Sequence, residues 1–222
     1  MPIARKLPAG DYWIGNDSTP NASPRHMRRF IGDVWIDQDL LSWRAFEAFV
    51  TSGGYADSLW WRAADGNPFS DSAQPASVDN RCETIRQMTL ADAPVSWQLP
   101  RGDLPALGLT WFEAAAVCHF SGARLPFEAE WETAMAAGLL QRANPALSAA
   151  AQEWCFDGYA SRYWRADSGV RGRAWLAGQK VTVRGYRSTE PTLGLTARRP
   201  ADPSSGNAGC GFRRVWERAP NS

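Results

Sequence analysis

Two helical patterns follow one another between Thr110 and Gly138, and the first is apolar on nearly every side. A helix without a polar face belongs in the interior, so the rest of the chain must wrap around it. Thr110-Trp111-Phe112-Glu113 fits a capping box: the threonine hydroxyl accepts the Glu113 amide while the carboxylate reaches back to the Thr110 amide. The helix continues through Ala114 to Phe120 and stops at Gly122. Arg124-Leu125-Pro126 connects it to a second helix that starts at Glu128 and is stopped at Gly138. Glu128, Glu130 and Glu132 suit the positive end of that helix. Glu128 and Glu132 lie four apart on one face, the spacing of an acid–base couple. Charge at a helix start is the commoner reason for such a pair.

The flanking sequence reads as short strands, one more helix and many turns. Asp11–Gly15 and Val34–Asp37 are β-type runs, with Asn16–Arg25 a loop between them. Asp39 is expected to cap a helix in which Leu40, Trp43, Phe46, Phe49 and Val50 recur at helical spacing, ended by Ser52-Gly53-Gly54. Residues 56–109 read as an insertion-like loop region, with a helical turn at Leu59–Arg62 and an extended stretch at Ala93–Trp97. Beyond Ser148 the chain is aromatic and irregular through Tyr159, and short strands are expected at Val181–Arg184, Leu195–Arg198 and Phe212–Trp216. No linker interrupts it, so residues 1–222 are expected to form one domain. Twelve Trp beside 19 Gly and 15 Pro point to aromatic anchors holding a turn-rich fold.

Composition removes several chemistries. Lys and Arg number 24 against 23 Asp and Glu, which is not the balance of a nucleic-acid binder, although arginines gather in the last quarter. No apolar run is long enough for a membrane span, and the first ten residues carry no signal-peptide core, so a cytoplasmic location is expected. Cys82, Cys118, Cys155 and Cys210 form no Cys-x-x-Cys pair and are expected to be reduced. His26 and His119 are the only imidazoles, too few for a three-histidine metal site, and no metal ligands are assigned.

The order of motifs resembles a known family. Pro8-x-Gly10 through Gly15, Val34-Trp35-Ile36-Asp37, Phe46-x-x-Phe49-Val50, Gly54-Tyr55 and Thr110–Ala114 with Cys118 occur in sequence. They are followed by Gly122-x-Arg124-Leu125-Pro126-x-Glu128-Ala129-Glu130-Trp131-Glu132, Glu153-Trp154-Cys155-x-Asp157, Arg184-Gly185, Arg198 and Gly211-Phe212-Arg213. The set is similar to the sulfatase-modifying-factor domain of formylglycine-generating enzymes, which also forms the C-terminal part of ergothioneine- and ovothiol-type sulfoxide synthases. The resemblance implies an α+β, C-type-lectin-like fold with two core helices, a small twisted antiparallel sheet and much irregular loop.

Departures from the family pattern bear on function. Family members that generate formylglycine carry two copper-binding cysteines after the Arg-Gly segment. Here Arg184–Gly194 holds no cysteine, and counting forward without gaps puts Glu190 at the first thiol position and Leu195 at the second. Soft thiolates select Cu(I), so copper through a thiol pair, and with it formylglycine generation, is not expected. Ala151-Gln152 replaces the usual Gly-Asn-Val before Glu153, which weighs against the relatives' calcium site, and no other cofactor is assigned. Phe127 stands where Thr is common and cannot cap the helix amides.

Two readings of function follow. In the first, the chain oxidatively tailors a small molecule or peptide. Glu190 is then the acid–base group, Tyr186, Arg187 and Arg198 bind substrate, and Asp157, Trp164 and Trp175 form walls. In the second, the same residues line the recognition surface of a non-catalytic accessory module for a ligand or protein partner.

Overall fold

The computed structural model describes residues 3–19, 21–62, 78–91, 101–140, 152–160, 179–185, 195–207 and 209–220. Among these it has four α-helices and three small sheets. The helices are α1 (Trp43–Thr51), α2 (Val78–Ala91), α3 (Trp111–Phe120) and α4 (Glu128–Ala136). The α+β class stands, but the expected two core helices undercount this set.

Strand β5 (Gln152–Gly158) organises the interior. It pairs antiparallel with β6 (Val181–Arg184), which pairs with β7 (Arg198–Ala201). On its other side β5 runs parallel to β8 (Cys210–Gly211), so this sheet is mixed and not purely antiparallel. A second sheet joins β1 (Ala4–Leu7), β4 (Val34–Asp37) and β9 (Val215–Trp216), and β2 (Gly10–Ile14) with β3 (His26–Phe30) makes a separate hairpin.

Alternate side chains of β5 serve two cores, as strand geometry requires. Trp154 and Phe156 join α1 and α3 in the larger core, whereas Cys155 joins Ala129, Trp131 and Ala134 of α4 against Leu7, Ile14, Phe30, Ile36 and Val215. Two indoles fasten α3 to β5: Trp111 Nε1 donates to the Cys155 carbonyl at 2.8 Å, and Trp154 Nε1 to the Leu109 carbonyl at 2.9 Å.

The capping box of α3 is present: Glu113 N donates to Thr110 Oγ1 at 3.1 Å and Thr110 N to Glu113 Oε2 at 2.7 Å. Helix α1 begins later than expected, with Ser42 rather than Asp39 as its cap. The backbone before it is engaged elsewhere, Leu41 N donating to Phe212 O and Ala106 N to Leu41 O. Helix α2 falls where an irregular loop is expected; its sequence is largely polar, and Ile85 is its fully buried anchor. Its Arg81 binds Glu113 through two nitrogens at 2.7 and 2.6 Å, which ties α2 to the buried start of α3. The stretch Ala93–Trp97 lies outside the described residues.

Candidate functional site

The first turns of α4 meet two arginines from the sheet. Arg198 grips Glu128 with both nitrogens at 2.7 Å and gives a third hydrogen bond to the Ala160 carbonyl at 2.7 Å. Arg184 pairs with Glu132 and lies 3.9 Å from Glu128. All four side chains are buried. Arg184 and Arg198 are direct partners across β6 and β7, a placement that repels unless anions intervene. Glu128 and Glu132 supply those anions, so their role is structural pairing rather than acid–base exchange. Aromatic faces complete the enclosure, with Trp131 5.5 Å from the Arg184 guanidinium and Tyr159 4.7 Å from that of Arg198.

The network reaches beyond α4. Arg184 also donates to the carbonyls of Leu195 and Thr196 at 2.8 and 3.0 Å. One guanidinium therefore holds Leu195 and Thr196 against the end of β6, with Glu132 as counter-ion. The hairpin loop flanks the same place. Gly15 N donates to Glu132 Oε1 at 2.6 Å, and Arg198 N donates to Asn21 O at 3.2 Å. Asn21 adopts a left-handed φ of 61°, which asparagine tolerates better than most residues.

Of the expected site residues, Tyr186, Arg187, Glu190, Trp164 and Trp175 lie outside the described residues. Arg198, the first residue of β7, is buried with its charge paired to Glu128. Asp157 is buried, and its Oδ2 accepts from Glu128 N at 2.5 Å. It thereby supplies the cap that Phe127 lacks. The Glu132–Arg184 clamp and the hairpin loop are not among the sequence-derived candidates. The one available clue was a pair of glutamates, four apart, on a helix otherwise suited to burial.

His26, at the start of β3, borders the network. Its Nδ1 is 2.7 Å from the Pro24 carbonyl and its Nε2 accepts from Arg28 Nε at 3.2 Å. Burial holds its pKa below 6.5, helped by Arg28 and opposed by the Pro24 carbonyl, Glu132 and Glu128. The unfolded chain thus binds a proton that the folded chain resists, and stability falls as pH drops below 6.5. The stability advantage of wild type over His26→Gln should shrink between about pH 7.5 and about pH 5.5. Urea denaturation at both pH values measures it, and an unchanged gap contradicts the assignment.

The cysteines do not fit a thiolate copper site. Cys155 and Cys210 face opposite cores, Cys118 belongs to the larger core, and Cys82 is half-buried on α2. Burial pushes the thiols of Cys118, Cys155 and Cys210 up, so none is a ready thiolate. Gln152 does not offer a free carbonyl for calcium, since its Oε1 accepts from Asn207 Nδ2 at 3.2 Å. Among the described residues no three His, Cys, Asp or Glu side chains gather as metal ligands, and no helix is long and apolar enough to cross a membrane.

A family model described as the sulfatase-modifying factor enzyme 1-like domain matches residues 5–151. The chain belongs to that family. Relatives in it include the formylglycine-generating enzyme of Bos taurus, 29% identical over 159 residues, covering 63% of this chain and 41% of that protein. The formylglycine-generating enzyme of Thermomonospora curvata is 29% identical over 153 residues, covering 63% and 50%. Hercynine oxygenase of Mycolicibacterium smegmatis is 29% identical over 147 residues, covering 59% and 30%. The matched region thus spans half or less of each of these relatives. In fold, the chain matches the structure of PvdO from Pseudomonas aeruginosa with a TM-score of 0.63 at 19% identity, covering 96% of this chain and 94% of that one. In this chain residues 184–195 include no cysteine.

Proposed function

We propose that the chain is a divergent family member that oxidatively tailors a small molecule or peptide at segment 186–194, and does not generate formylglycine. The observation that carries this reading is the Arg184 clamp. It joins Arg184 to Leu195 and Thr196, the described residues on either side of the segment, while the chain's cysteines lie elsewhere. Relatives named formylglycine-generating enzyme and hercynine oxygenase support oxidation as the reaction class.

Glu190 is the group on the segment suited to take a proton from substrate. Arg187, on the same segment, suits an anionic substrate group through paired hydrogen bonds. With dioxygen as the oxidant, the substrate gives up two electrons and two protons; Glu190 takes one proton and passes it on, so both protons and both electrons end on dioxygen, which leaves as hydrogen peroxide.

Oxygen uptake by the purified protein with fractionated small-molecule and peptide extracts tests this reading. Glu190→Gln should lower turnover at least about 100-fold without changing the thermal transition. Retained turnover rejects Glu190 as the proton acceptor.

A further inference from the structure

A cleft of about 1280 Å³ opens on the outer face of the β1–β4–β9 sheet. Its size is ample for a drug-sized ligand, for which pockets run about 300–1,000 Å³.

Strand alternation builds its floor. Val34, Ile36 and Val215 point into the smaller core, so Trp35 and Trp216 point the other way. The two tryptophans are direct partners across β4 and β9, which sets their side chains next to each other. Trp216 is pinned before any ligand arrives. Its Nε1 donates to the Ser121 carbonyl at 3.2 Å, and the Arg214 guanidinium lies 4.9 Å from its ring. Fixed aromatic rings lose little freedom on binding.

The charged residues of the cleft differ in availability. Arg124 is held by Glu130 and Glu217, and Arg214 by Asp37. Arg218 also lines the cleft, is exposed, and makes no hydrogen bond or ion pair among the described residues. At Gly122, also in the lining, an added Cβ would meet nothing within 4 Å.

We infer that this cleft binds a small planar aromatic anion, its ring against Trp35 and Trp216 and its carboxylate or equivalent group on Arg218. Adjacent indoles favour a flat ring, and the unengaged guanidinium favours an anionic substituent.

Ligand-detected NMR titration with 2-naphthoate tests the site. The full chain should bind it saturably, with a Kd below about 1 mM. Trp216→Ala should abolish binding. Arg218→Gln replaces an exposed side chain, so it keeps the fold and should weaken binding at least about fivefold. The uncharged 2-naphthamide should bind at least about fivefold more weakly than 2-naphthoate. Glu190→Gln should bind like wild type, which separates this site from the proposed reaction. The inference is overturned by absence of saturable binding up to about 10 mM. Wild-type affinity in Arg218→Gln or for the amide also overturns it, as does weakened binding in Glu190→Gln.

Discussion

Replacing Glu128 by alanine is expected to lower the unfolding free energy by about 3–5 kcal/mol, the cost of stranding one member of a buried ion pair. The substitution leaves Arg198, only 2% exposed, without its bidentate carboxylate. It also removes the anion 3.9 Å from Arg184, the cross-strand neighbour of Arg198. A domain of ordinary stability, about 5–15 kcal/mol, loses a large share of its margin in this way. Urea denaturation followed by tryptophan fluorescence measures the change. The double variant Glu128→Leu with Arg198→Met should recover most of the loss, because exchanging a buried pair for apolar groups is near neutral. A loss below about 1 kcal/mol for the single variant would show that water reaches the pair.

Gly15→Ala is the second large effect. Gly15 has a φ of +83°, and an added Cβ would lie 2.3 Å from the Pro24 carbonyl oxygen and 2.6 Å from that of Ser23. Both obstacles are backbone, so the hairpin loop itself must move. The left-handed conformation alone costs an L-residue about 1–2 kcal/mol. Movement also endangers the bond from Gly15 N to the Glu132 carboxylate, and bonds of that kind contribute about 1.5–3 kcal/mol. The expected loss is about 3 kcal/mol or more. Gly53→Ala provides the control: its φ is +78° and nothing lies within 4 Å of the added carbon. It should lose only the conformational part, about 1–2 kcal/mol. Equal losses in the two variants would contradict the clash.

The sequence disclosed those elements whose signals are local. The start of α3 could be read because Thr110 and Glu113 cap each other within one turn, and α4 because Pro126 and Gly138 bracket it. Strand β5 escaped notice because it is buried on both faces, so Trp154, Cys155 and Phe156 show no polar alternation. Strands β1 and β3 carry Arg5, Lys6, Arg28 and Arg29, and their pairing is decided by β4 and β2, not by their own composition. The resemblance located the segment after Arg184, whereas the clamp at its base joins residues far apart in the chain. Arg184 and Glu132 are 52 residues apart, and Arg198 and Glu128 are 70 apart. No window of sequence contains such a pair.

Arg184 takes hold of Leu195 and Thr196 through their main-chain carbonyls, atoms that every amino acid supplies. That hold does not depend on which side chains stand at positions 195 and 196. Descendants of this protein can exchange those two side chains while the grip itself is inherited intact. Variation should accumulate there faster than at Glu128, Glu132, Arg184 or Arg198, whose charged groups make the contacts themselves.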